Sequence, residues 1–300
     1  MHLKIKNIIF SLYIMPSIKI LCFHPIFGEN ATILGQRSGF EVVRDEYKPE
    51  KDDFLIIFGA HTQPHIFLQI IQEYHIKMVV IQTEQLQSEI FENKYYIKLL
   101  QHPFVFVYDW SEYNAHKLKR THDVKVRSIY SFDFYGKEPY QNLEDRPIDI
   151  FFCGSRSPKR EKVINELKET YPHYKFFVDF DYNLTEQEKL CSILKRSKIV
   201  LNIPFYDGAL ETHRCIQAKS CGCEVLSYYS SCDDLNTAYD LFFHFSNNFV
   251  KALKDLDEII KKPKLDHKEW NNRVNSHSLK HNIEQMKNII SLMYNNDEKK

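Results

Sequence analysis

Glycine is scarce in this chain, eight in 300 residues, and tryptophan scarcer still, with two. Neither GxGxxG nor GxxxxGK[ST] occurs, which excludes the usual dinucleotide and ATP cradles. The glycines at loop positions, Gly28, Gly59, Gly154, Gly208 and Gly222, therefore carry positional meaning. Charge of one sign is also missing. Forty Lys and Arg balance forty Asp and Glu, so no overall field gathers nucleic acid or an anionic membrane, and no nucleic-acid partner is expected; a local basic patch stays open. Seven cysteines, an odd number spread through predicted strands and helices, argue against a disulfide framework and for reduced thiols in the cytoplasm. Cys221 and Cys223 have the wrong spacing for a zinc knuckle and no second Cys/His pair, so no metal is expected. The N-terminal apolar stretch is interrupted by Pro16 and Lys19, lacks a small-residue cleavage site and is too short to span a bilayer. Peripheral contact with a membrane and the oligomeric state stay open. Met15 directly precedes the first good strand, so residues 1–14 read equally well as native or as an added start.

What is present is the composition of a globular chain, 43% hydrophobic and 27% charged, at a length that suits two domains. From residue 18 onward short apolar runs alternate with amphipathic segments, the pattern of βαβ units and a mostly parallel sheet. Strands are predicted at 18–23, 54–58, 77–82 and 104–108, and helices at 64–74 and 88–100. A further helix opens after Asp109 with Ser111 as its cap. The polar stretch 135–147 reads as a linker. A second series follows: strands at 148–153, 175–178, 199–203 and 241–245, helices at 159–171, 185–196, 210–220 and 248–261, and a helical tail at 278–293. Two α/β halves joined by a linker imply two sheets facing across a cleft.

Two stretches carry candidate chemistry. In the first, a strand runs into Gly154 and Ser155, and Arg156, Lys159 and Arg160 bracket the helix start behind them. Glycine lets the backbone approach a phosphate, the helix start offers unpaired N–H groups, and arginine supplies a fork of donors; a plain strand-to-helix turn with solvated cations is the structural alternative. In the second, Glu211 and Arg214 share a face of a first helical turn behind the loop that holds Tyr206. A carboxylate there can accept both hydroxyls of a ribose; a surface ion pair is the alternative. Tyr206 is the aromatic residue expected to touch ligand. In the N-terminal half the strand ends offer His24, His61, Glu84 and Asp109 as candidate general bases, each with a structural alternative.

The stretches DIFFCGSRSPKRE, SKIVLNIPFYDGALETHRCIQAKSCGCEVLS and HSLKHNIEQM together resemble the C-terminal half of the CgeB-like (spore maturation protein B) glycosyltransferases, a GT-B family. Gly154, Ser155, Arg160, Asn202, Glu211, Arg214 and Gly222 match the family pattern. The resemblance implies an α/β protein with two Rossmann-like α/β/α domains facing across a cleft: an acceptor-side domain at 15–140, a donor domain at 147–277, and a C-terminal helix at 278–300 that packs back toward the first domain. It also implies a nucleotide-diphosphate sugar as donor, with Glu211 on its ribose and the Gly154 turn near its diphosphate, and transfer to the hydroxyl of a glycan or other glycoconjugate without metal or further cofactor. Where members commonly carry an acidic residue after the strand that ends at Ser227, this chain has Tyr228 and Tyr229, and the loop NIPFYDG is individual; both bear on the donor sugar. A sugar-nucleotide epimerase or hydrolase of the same architecture, and a degenerate binding module, are the rival readings.

Overall fold

A computed structural model describes residues 16–43, 47–51, 53–129, 143–181, 183–184, 186–254, 256–261 and 278–295. Residues 1–14 and the 135–142 part of the predicted linker lie outside them. The N-terminal sheet contains β1 (Ser17–Cys22), β2 (Glu41–Val43), β3 (Asp53–Phe58), β4 (Lys77–Gln82), β5 (Val105–Asp109) and β6 (Val126–Ser128). All pair in parallel, in the order β2-β1-β3-β4-β5-β6. β3 and β4 are buried at every position, DFLIIF and KMVVIQ, as strands covered on both faces must be. The covering helices are α1 (Gly28–Ser38), α2 (Pro64–Tyr74), α3 (Lys94–Leu100) and α4 (Glu112–Thr121). Ser111 caps α4 as expected, accepting from Asn114 N.

The second sheet contains β7 (Ile148–Cys153), β8 (Phe176–Asp179), β9 (Ser197–Asn202), β10 (Glu224–Ser227) and β11 (His244–Phe245), again parallel, ordered β11-β10-β9-β7-β8. Its helices are α5 (Pro158–Thr170), α6 (Gln187–Lys195), α7 (Thr212–Ser220), α8 (Asp233–Tyr239), α9 (Phe249–Leu253) and α10 (Leu256–Lys261). The tail forms α11 (Leu279–Asn295) and returns to the first domain: Leu279, Ile283, Met286 and Ile290 pack in one cluster with Ile20, Phe54 and Ile56. Lys77 donates to the Met293 carbonyl, and Tyr294 Oη donates to Asp53 O at 3.2 Å. Each fully buried side chain of this size is worth about 1.5–3 kcal/mol, so the helix is part of the N-terminal core.

Several boundaries differ from the sequence expectation. The 88–100 helix is a 3-10 turn at Glu89–Glu92 followed by α3, because the Asn93 side chain accepts from Tyr95 N and starts a new helix. The 241–245 strand shrinks to two residues, since Phe242 N and Phe243 N both bond the Tyr239 carbonyl in a turn. The 248–261 helix is two short ones. The end of the predicted linker is packed: Leu143 is buried, and Arg146 threads into the second domain to donate to Ser197 O at 2.7 Å and Cys221 O at 3.3 Å.

In each sheet the chain goes to one side first and then crosses to the other, so a switch point falls between β1 and β3 and another between β7 and β9. Ligands of open parallel sheets sit in the crevice outside such points, beyond the carboxyl ends of the strands. Contacts from α4 join the two domains: Glu112 N donates to Thr212 Oγ1 at 3.4 Å, Tyr113 Oη lies 3.1 Å from Ser231 Oγ, and Tyr239 Oη donates to Glu112.

Candidate active site

The turn after β7 requires its glycine twice over. Gly154 has φ +149°, and a Cβ there would stand 2.9 Å from Arg214 Nη1, 3.0 Å from Nη2 and 3.2 Å from Arg160 Nη1. Arg214, in the first turn of α7, donates to the Cys153 carbonyl, so its guanidinium lies across the bare backbone at the end of β7. Gly154 N is bonded to Asp179 O at 2.9 Å, tying the turn to the end of β8.

Arg160 sits beneath this turn, 1% exposed. Its Nε donates to Ile203 O at 2.8 Å, Nη1 to Ser155 O at 2.9 Å and Nη2 to Glu211 Oε1 at 2.9 Å. Burial pulls its pKa down to about 10. Glu211 Oε1 also accepts from Phe205 N at 3.1 Å, and Oε2 lies 2.9 Å from Arg214 Nη2. Both expected ligand contacts at this point thus turn inward: the carboxylate is held by two arginines and a backbone N–H, and Arg160 spends its donors on protein.

Between the domains lies a pocket of about 320 Å³. Gly154, Arg214, Gln187 and Gln217 face it from the C-terminal domain, and Glu29, Asn30 and Trp110 from the N-terminal one. Of the sequence-predicted donor residues, Gly154 and Arg214 line it; Ser155, Arg156, Arg160, Asn202, Tyr206 and Glu211 do not. Arg156 points outward to Glu161 at 2.6 Å and Asp181 at 3.5 Å, Asn202 is fully buried with Nδ2 on Ser227 Oγ at 2.9 Å, and Tyr206 packs on Phe205. Gln187, Gln217 and Trp110 are pocket residues that the sequence reading missed. Gln217 follows Arg214 by three on one helix face, which was a usable signal. Gln187 is buried, and its Nε2 has no hydrogen-bond partner among the described residues. Trp110 stacks on His213 at 5.0 Å, closing the pocket from both domains, and burial with the adjacent Arg214 charge holds the His213 imidazole down to about 3.

At the switch point of the N-terminal sheet, His24 follows β1 and His61 follows β3, their rings 6.3 Å apart. Gly59, φ +76°, brings the two loops together: a Cβ there would lie 3.1 Å from His24 Cβ. Burial lowers the His61 pKa and raises that of Glu84, which the nearby His24 charge partly offsets. Beside Glu84, the buried atoms Thr83 Oγ1 and Gln85 Oε1 have no partner among the described residues. Asp109 is tied to the Glu84 loop, because Gln82 and Asn114, which bond its carboxylate, also bond the Glu84 backbone. It is fully buried, accepts from Ser111 N at 2.7 Å, Gln82 Nε2 at 3.0 Å and Asn114 Nδ2 at 3.3 Å, and burial pushes it up to about 8. None of the four lines the 320 Å³ pocket.

An Asp-x-Asp triplet is present in the sequence at Asp179 to Asp181, so metal-free chemistry draws no support from a lack of that motif. Asp179 turns its carboxylate into its own loop: Oδ1 accepts from Asp181 N and Asn183 Nδ2, and Oδ2 from Leu184 N. Among the described residues, His116, Cys232 and Asp234 are grouped closely enough to share an ion, but Arg120 lies 3.6 Å from the Asp234 carboxylate. The seven cysteines are free thiols, with Cys221 and Cys223 in the core. No helix among the described residues is long and apolar enough to cross a membrane.

No protein-family model matches the chain, and no curated protein matches it in sequence. Solved structures do match its fold. HepE of Anabaena in complex with UDP and glucose superposes with a TM-score of 0.62 at 11% identity, over 92% of this chain and 99% of that one. HepE in complex with UDP gives 0.59 at 10% identity over 92% and 99%. WaaG, a glycosyltransferase involved in lipopolysaccharide biosynthesis, gives 0.51 at 10% identity over 91% and 99%. The likeness shows the GT-B arrangement, two Rossmann-like domains across a cleft, and the second sheet, the cleft and the returning helix agree with the sequence expectation.

Proposed function

We propose that this protein is a glycosyltransferase of the CgeB-like kind, moving a hexosyl or pentosyl group from a nucleotide-diphosphate sugar to an acceptor hydroxyl in the cytoplasm. One observation carries the reading: in the interdomain pocket, the Gly154 backbone, the Arg214 guanidinium and the side chain of Gln187, whose Nε2 has no partner among the described residues, are brought together. The relatives in fold that hold UDP, and UDP with glucose, support a uridine nucleotide as the first donor to try.

In this reading Arg214 and the open backbone at Gly154 take the diphosphate, helped by the N-terminus of α7. Their preset donors stabilise the charge that builds on the diphosphate as the sugar leaves. Glu211 and Arg160 position Arg214, replacing the direct ribose contact expected from the sequence. Gln187 and Gln217 supply amides to the nucleoside or sugar. The acceptor enters over the N-terminal switch point, where Glu84 is the base for an inverting transfer: burial raises its proton affinity, and Thr83 and Gln85 offer polar atoms beside it. Asp109 is a structural tie between β4, β5 and α4.

The test is UDP release from UDP-glucose and other UDP-sugars with and without a panel of glycan acceptors. Release stimulated by at least one acceptor is expected. Release from donor alone that no acceptor raises assigns a hydrolase instead.

A further inference from the structure

A larger cavity, about 720 Å³, lies outside the cleft, between α4 and α11 beside β6, the edge strand of the N-terminal sheet among the described residues. One face of α4 contributes Glu112, His116, Lys119 and Arg120, and the edge strand β6 contributes Arg127. Of the basic stretch HKLKRTH, His116 to His122, the residues His116, Lys119 and Arg120 lie here, in a chain whose charges balance overall. Three cations, Lys119, Arg120 and Arg127, thus line the cavity with one carboxylate, Glu112, which already accepts from Tyr239 across the domain boundary, while Asp234 reaches Arg120 from outside the lining.

The cations are available. Arg127 is held in place by Gln285 Oε1 at 2.9 Å, a bond that uses one of its five N–H donors. Arg120 makes an open, exposed pair with Asp234 at 3.6 Å. Lys119 Nζ has no partner among the described residues. Interaction with the carbonyl end of α4 accounts for Lys119 and Arg120. It does not account for Arg127, which reaches the same cavity from a strand and is fixed there by a residue of α11.

We propose that this cavity is a second binding site, for a ligand bearing multivalent phosphate such as a diphosphate group. Two guanidinium forks and an ammonium match several phosphate oxygens in both charge and direction, and the volume leaves room for what the phosphate is attached to. The site stands independently of the function proposed for the cleft.

The test is calorimetric titration of the whole protein with inorganic pyrophosphate after saturation with UDP, in the wild type and in the Lys119→Glu/Arg127→Glu double variant. Both positions are exposed and outside the cleft. A pyrophosphate event that survives UDP and weakens at least tenfold in the double variant is expected, with UDP affinity within twofold of wild type. Absence of that event in the wild type, or its persistence at full strength in the variant, overturns the proposal. If UDP itself does not bind, the titration without it reads the same variant dependence, so failure of the donor reading is seen separately. Co-sedimentation with phosphatidylglycerol vesicles, against phosphatidylcholine vesicles, distinguishes the source: binding lost in the variant assigns a lipid-borne phosphate, and pyrophosphate binding without co-sedimentation a soluble one.

Discussion

Arg160 Nη2 donates to Glu211 Oε1 at 2.9 Å, with the guanidinium side chain 2% and the carboxylate side chain 12% exposed. The other oxygen of the same carboxylate holds Arg214, whose guanidinium covers Gly154. A buried cation thereby sets, through one carboxylate, the position of the arginine that faces the cleft.

That arrangement predicts two consequences for Glu211→Ala. The variant leaves the buried Arg160 charge without its counter-charge, a loss of about 3–5 kcal/mol of stability in urea unfolding. Nucleotide binding weakens as well, because Arg214 is released. A variant of wild-type stability that loses only affinity would show that Glu211 touches the ligand directly.

Gly154→Ala places a methyl group against two guanidinium groups and forces an L-residue to φ +149°. Strain of this kind costs about 1–3 kcal/mol. Thermal unfolding is expected to shift down, and calorimetry to show weaker nucleotide binding from the displaced Arg214.

His213 gives the stability a pH dependence of known sign. Its folded-state pKa is held near 3 against an ordinary value of 6.5, so the unfolded chain binds the extra proton between those values. The contribution is fully present above about pH 6.5 and is lost as pH falls toward 3, by up to about 1.4 kcal/mol per pH unit. His213→Phe, which keeps a ring against Trp110, is expected to flatten urea stability across that window; an unchanged slope assigns the dependence to other groups.

Glu84→Gln is expected to lower transfer by about 10²–10⁴-fold while nucleotide affinity stays within twofold. Because burial raises the Glu84 pKa, the acid limb of kcat/KM in the wild type falls above the ordinary carboxylate value. A retaining transfer, or Glu84→Gln at wild-type rate, removes Glu84 as the base.

How much was legible in the sequence follows from what each segment buries. β4 and β7 appear at their predicted ends because their apolar runs have no other use. β2 and β6 are three-residue edge strands, exposed or half-exposed, and carry no such signal. Gly154 and Arg214 line the pocket, and the sequence singles both out because a glycine at a strand end and an arginine in a first helical turn suit phosphate chemistry. For Glu211 and Arg160 the spacing marks a shared region without saying that two arginines claim one carboxylate, which is what the structure shows. Gln217 shares a helix face with Arg214, whereas Gln187 looks like an ordinary solvated helix residue until the fold places it in the pocket lining.

If the cleft holds a nucleoside diphosphate through Arg214, removal of that guanidinium costs nucleotide affinity. Isothermal titration of UDP into the wild type and Arg214→Ala tests it most directly. Binding to the wild type, weakened by about 1.5–3 kcal/mol in a variant that remains folded, is the predicted result; no binding to the wild type, or equal affinity in the two proteins, contradicts it.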